Sequence, residues 1–297
     1  MGILTRCAAL LTVAALAGCG SQTGKEPSAP VGDADPLVAT QYAVTVMDDA
    51  DSGPEACLAG IATSYPPQCS GPALPGWDWA EHRGDFERSG EVRWGDFALT
   101  GTWDGDALTL TEAVPAAEYD APDPPDDGLL GTPCPEPAGG WSVVDPATTN
   151  RQTMEAVFGE ATRLAGYSQA WMDQSPNPAF DPSGEVKPEQ MELLNDPRLV
   201  IVNVAVVGDL AAAEARLRTI WGGALCVTKG LVTEERRLEI QERLVDELPE
   251  FLGGLNGGGI RPLEVTVGYD DGSIQSRLDE EFGAGTVLVQ PVLQPAD

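Results

Sequence analysis

The chain is poor in positive charge and nearly devoid of histidine. It has 17 Lys and Arg against 47 Asp and Glu, and a single His, His82, in 297 residues. The formal charge of −30 argues against nucleic acid as a partner, because phosphates are repelled. It equally argues against docking on anionic headgroups through a basic patch. No C-x-x-C spacing occurs and one His is too few for a zinc frame. There is no G-x-S-x-G elbow, so any Ser–His–Asp site would have to use His82. The glycine-rich stretch Leu252–Gly259 lacks the G-K-[ST] ending of a phosphate loop and reads as a mobile loop before a strand. The acidic run from Asp123 to Gly128 is not an EF-hand. Pro125 stands where the third-position ligand belongs and Cys134 where the twelfth-position Glu belongs. No metal or cofactor is therefore expected. The acidity itself reads first as a solubility device.

Long apolar runs are also missing. The run after Arg6, Cys7–Ala17 (CAALLTVAALA), is too short for a bilayer, which takes about 20 apolar residues. A basic start, a short apolar core and small residues before a cut site describe a secretory signal. The site ends Leu16-Ala17-Gly18-Cys19, which resembles the lipobox of bacterial lipoproteins. The resemblance implies cleavage of residues 1–18, a thioether-linked diacylglycerol with palmitate-type chains on Cys19, and a location on the extracytoplasmic face of the cell membrane. Loss of Arg6 would leave 16 basic against 47 acidic side chains, or −31. Residues 19–39, rich in Gly, Ser, Pro and Ala, read as a tether with a reach of roughly 25 Å.

Four cysteines then remain: Cys57, Cys69, Cys134 and Cys226. An even count in an exported chain reads as disulfides, and four cysteines allow three pairings. The expected pairing is Cys57–Cys69, which flanks one Pro-rich loop, with Cys134–Cys226 fastening a mid-chain linker to the C-terminal half.

The expected fold class is α+β, with two bodies. Residues 40–115 carry short alternating runs, and Asp104-Gly105 separates FALTGTW from DALTLTE, a hairpin signature. Five short strands suggest a small, OB-like β-barrel, with an open sandwich as the alternative. Residues 116–140 are a Pro/Asp-rich linker that cannot bury a core. Residues 141–297 alternate helix and strand. Thr148, Thr149 or Asn150 caps a first helix, and a Pro-broken loop follows. The apolar run Leu199–Val207 marks a covered strand. Asp209 and Thr233 cap two further helices, and Gly283 stops the last one. A βαβαβαβ order suggests an α/β sandwich of split βαβ units.

Candidate site residues are few. Trp77, Trp79, Trp94 and Trp103 crowd into one β segment. Trp77 and Trp79 at i and i+2 share a face if extended and could form a sugar-stacking platform. The competing reading is that they fill a small core. His82, between Glu81 and Asp85, is either a general base or simply a solvated ring. Asp270 and Asp271 are either paired acids or a plain turn, and carboxylate pairs carry little information in so acidic a chain.

Ser64–Cys69, Gly76–Trp79, Val92–Gly95 and Gly101–Gly105, and more loosely Trp221–Cys226 and Tyr269–Gly272, resemble a group of uncharacterised exported lipoproteins of high-GC Gram-positive bacteria. That group lends no catalytic residues. The expected function is a non-enzymatic, lipid-anchored envelope module that binds a protein or a wall glycan. The alternatives are an envelope-polymer hydrolase using paired carboxylates, and an inhibitor or chaperone-like partner of an exported protease.

Overall fold

The computed structural model describes residues 35–123, 131–181 and 187–296. Cys19, the signal segment and most of the expected tether lie outside the described residues. What is described is α+β and rich in strands. No described helix is long and apolar enough to cross a membrane.

The first strands are β1 (Leu37–Thr40), β2 (Val44–Asp48), β3 (Pro54–Ala56), β4 (Glu87–Ser89), β5 (Val92–Trp103) and β6 (Leu108–Pro115). The end of the expected tether, residues 37–39, is thus strand. β5 is a single strand of 12 residues, longer than the short runs expected there, and it is the hub. Along one edge it pairs with β1 and β2, Leu37 opposite Thr102 and Val44 opposite Phe97. Along the other it pairs with β4 and β6, Glu87 opposite Trp94 and Leu108 opposite Trp103. The β5–β6 hairpin turns as the sequence implies. Gly105 takes φ +106°, and the Asp104 carboxylate accepts from the N–H groups of Asp106 and Ala107. Residues 72–74 bridge β3 to the start of β6: Ala56 N–H donates to Pro72 O, and Leu108 N–H to Ala73 O, each at 3.0 Å. The sheet curls around Val46, Phe97, Leu99 and Leu108, all fully buried.

The later elements are α1 (Arg151–Ala161), β7 (Tyr167–Asp173), α2 (Met191–Leu194), β8 (Ile201–Val206), α3 (Leu210–Arg218), β9 (Ala224–Lys229), α4 (Glu234–Glu247), β10 (Phe251–Gly257), β11 (Leu263–Tyr269), α5 (Ser273–Phe282) and β12 (Val287–Pro295). The caps follow the sequence. Asn150 accepts from Thr153 N–H at the start of α1, Asp209 from Ala212 N–H at α3 and Thr233 from Arg236 N–H at α4. Each satisfies an amide that a helix start leaves unpaired.

The C-terminal half does not keep its strands in one sheet. β7, β8 and β9 form a separate three-stranded sheet, with β8 central and buried along its whole length. β10, β11 and β12 join the N-terminal strands in a nine-stranded sheet through β12 and β1, Leu293 opposite Thr40. The observed order from β8 is β-α-β-α-β-β-α-β, which corrects the expected βαβαβαβ. The extra strand is β10, and a further strand, β7, precedes β8. The glycine-rich stretch expected as a loop is β10, whose pairing with β11 is broken by register shifts. The segment expected to be loop after α1 contains β7.

Three large apolar clusters among the described residues hold these layers, beside a smaller one around Ile201, Ala224 and Cys226. One lies inside the curled sheet around Phe97 and Trp79, with Leu293 of β12 reaching into it. A second joins α4 and α5 to β11 and β12 through Ile240, Leu244, Val265 and Leu278. A third packs α1 and α3 on β8 around Trp221 and Leu217.

Candidate functional site

The expected aromatic platform is not flat. Residues 76–82 run through successive turns, with Trp77 N–H donating to Leu74 O and His82 N–H to Trp79 O, each at 3.3 Å. The i, i+2 alternation of an extended strand is lost. The rings of Trp77 and Trp79 meet edge-on, 5.1 Å apart at 74°. Trp79 is 5% exposed. Its indole N–H donates to Asp48 Oδ2 at 2.9 Å, and Arg93 Nη2 lies 3.0 Å from the same oxygen. Trp77 is half-buried and also packs on Phe97. A stacking face for sugar needs an open ring, and this pair is turned into the core.

His82 belongs to the same cluster. Its ring stacks on Trp77 at 4.4 Å and meets Phe97 at 4.9 Å, so it is a half-buried, packed ring. Asp270 is taken up by the turn into α5, where its carboxylate accepts from Gly272, Ile274 and Gln275 N–H. Asp271 accepts from Ser273 N–H, and its pKa is lowered by the Ser273 side chain and N–H. The plain turn accounts for both acids.

The cysteines pair as expected, Cys57 with Cys69 and Cys134 with Cys226. The second bridge lays the segment from Gly131 to Trp141 over β9. Trp141 packs with Cys134, Cys226, Ile201 and Ala224, and Trp171 of β7 donates its indole N–H to Gly131 O at 3.1 Å.

Among the clefts of the described residues, two bear on a ligand site. One, of about 360 Å³, is apolar and lies between the Cys57–Cys69 loop and β11, with Leu58, Trp103, Leu252 and Tyr269 on its walls. The other, of about 450 Å³, lies where β7, the start of α4 and the turn between β10 and β11 meet. Tyr167, Gln169, Glu234, Arg237 and Arg261 line it.

The polar cleft is built around the carbonyl of Gly259. That oxygen accepts from Ser168 Oγ at 3.1 Å and from Leu231 N–H at 2.7 Å. It ties the β10–β11 turn to β7 and to the approach of α4. Only glycine fits at 259, because a Cβ there would fall 1.7 Å from Gln169 Oε1 and 2.7 Å from Gln169 Cβ. Arg237 sits on the first turn of α4, with Nη1 donating to Gln241 Oε1 at 3.1 Å and Nη2 3.7 Å from Glu234. Burial, helped by the charge of Glu234, pushes the Tyr167 hydroxyl above its ordinary value. It therefore stays protonated and able to donate at neutral pH. The arrangement offers fixed hydrogen-bond donors and a net positive lining. Comparison with known proteins found no matching family model, curated protein or solved structure.

None of these cleft residues stands out in the sequence. Tyr167, Arg237 and Arg261 are far apart in the chain and form no motif. The one local sign was the density of glycine at 253–259, which marks a backbone drawn close to its neighbours.

Proposed function

We propose that this chain is a lipid-anchored binding module on the extracytoplasmic face of a cell membrane. In this reading it works without catalysis and takes an envelope ligand into the polar cleft beside α4. The observation that carries the binding role is the pinned cleft, whose walls are held by Gly259 before any ligand arrives. Pre-set walls lower the ordering cost of binding. Both cysteine pairs lie within bridging distance, which supports an oxidising location. The lipobox likeness and the likeness to exported lipoproteins of high-GC Gram-positive bacteria support the anchor at Cys19. The ligand is a protein or a wall glycan of that envelope.

The hydrolase alternative has less to stand on. It needs a carboxyl group held protonated. Asp49 and Asp104 are displaced downward by turn N–H groups, Asp196 chiefly by the Arg198 side chain and Asp271 chiefly by the Ser273 side chain, and none of these four lines either cleft, whose carboxylates are Glu234 and Glu250.

Mass spectrometry of the native N-terminus tests the anchor. A diacylated Cys19 as first residue is expected, and an intact residue 1–18 segment would refute it. Pull-down of wall fragments and envelope proteins by wild type and by Gly259→Val tests the cleft. Equal capture by the two proteins would remove it as the seat.

A further inference from the structure

In a chain this acidic, guanidinium groups are normally neutralised at home. Arg93 pairs with Asp48, Arg216 with Glu160, Arg277 with Glu250 and Arg198 with Asp196. Arg83, Arg88 and Arg151 have no such partner among the described residues but are exposed; Arg261 is different. It is half-buried on the wall of the polar cleft, yet no described carboxylate lies within ion-pair distance of it. Arg237, which also lines the cleft, is held at the long distance of 3.7 Å from Glu234 and has five N–H donors to distribute. The charged groups lining the cleft are Arg237, Arg261 and Glu234, a net of +1 within a molecule of −30.

We infer that this cleft receives one carboxylate group, gripped by Arg261 and Arg237 with the Tyr167 hydroxyl as a further donor. The inference rests on the reading of the cleft as the ligand seat. The guanidinium fork matches the two oxygens of a carboxylate in plane. One negative charge balances the lining. A phosphate dianion would leave an excess negative charge in a chain whose net charge is already −30. The carboxylate of a peptide or of an acidic wall component has the required chemistry. The Ser168 hydroxyl is not free for it, because it is committed to Gly259 O.

The test titrates the mature full-length chain with N-acetylalanine, with its neutral methylamide and with inorganic phosphate. Calorimetry gives affinity, and the amide shifts of Gly257, Gly259 and Ile260 report the place. The acid is expected to saturate those shifts, with the methylamide and phosphate at least tenfold weaker. Arg261→Ala is expected to weaken the acid tenfold or more, as loss of a charge-assisted bond does, with the unfolding midpoint unchanged. Arg261→Lys should recover part of the loss, supplying the charge without the fork. Arg151→Ala, at an exposed position on the first turn of α1, should bind like wild type. Equal affinity for the methylamide or for phosphate, or an equal loss in Arg151→Ala, would overturn the inference. If an uncharged wall-glycan fragment moves these amides and no carboxylate does, the ligand class falls while the cleft remains the seat. If no probe moves them, both fall.

Discussion

Severing the two disulfides should destabilise the protein unequally, and the inequality follows from loop length. The Cys134–Cys226 bridge spans 92 residues and the Cys57–Cys69 bridge 12. The entropy of closing such loops in the unfolded chain corresponds to roughly 4 to 5 kcal/mol for the longer and about 3 for the shorter, a gap of about 2 kcal/mol. Local packing works alongside. Cys226 is 1% exposed and Cys57 4%, so the variants should be Cys→Ala, since Ser would bury a hydroxyl with no partner. Loss of the longer bridge also frees Gly131–Trp141 from β9, which adds to its cost. Urea unfolding at 25 °C of the Cys57→Ala/Cys69→Ala and Cys134→Ala/Cys226→Ala proteins measures both. The slope on denaturant should rise in each, and more for the 92-residue loop, because its unfolded chain expands further. If the short-loop variant loses as much stability as the long-loop variant, or more, the entropic ordering is wrong. Strain or residual structure would then dominate.

Further outcomes follow from particular contacts. Asp48→Ala leaves the buried Trp79 indole N–H without its acceptor, so a loss of about 1–3 kcal/mol is expected in the same assay. Trp79→Ala should cost about 3–5 kcal/mol as a core truncation, and full stability in that variant would contradict its burial. Gly259→Ala must displace Gln169 and should loosen the cleft before it unfolds the protein. Faster amide exchange confined to residues 257–261 and β7 is the expected sign, and an unchanged exchange pattern would count against the pinned turn. The Asp196 carboxyl is lowered chiefly by the Arg198 side chain, and that of Asp271 by the Ser273 side chain. A depressed folded-state pKa contributes stability that is present above the unfolded value of 3.8 and lost as pH falls through the lowered one. The stability difference between wild type and Asp196→Asn/Asp271→Asn should therefore be constant above pH 5 and shrink on acidification. A difference that grows toward low pH would reverse the sign.

What the sequence made legible was local. The Asp104-Gly105 turn, the Asp209 and Thr233 caps, the stop at Gly283 and the buried run of β8 each rest on neighbours within a few residues, and each is in place. The cysteine pairing was readable because four cysteines leave few choices. The partition of strands between sheets was not readable. β12 reaches β1 across nearly the whole chain, and no local pattern names a partner at that distance. β10 was hidden because glycines carry none of the branched or aromatic side chains that mark a strand, and its register shifts break the alternation. The tryptophans were legible as a group but not in their orientation, since turns at residues 76–82 cancel the two-residue period. The polar cleft depends on side chains meeting from Tyr167, Arg237 and Arg261, and spacing along the chain carries no trace of that meeting.

The pairing of β1 has a mechanical side. The first described strand is clasped on both edges, by β12 at Val38–Thr40 and by β5 at Leu37–Ala39. Pro36 O is held by Trp103 N–H, and Leu37 O by Ala296 N–H. Tension applied from the residue-35 end therefore loads two ladders together, in the direction along which strands resist sliding. A module moored through that end would transmit a tug straight into its nine-stranded sheet.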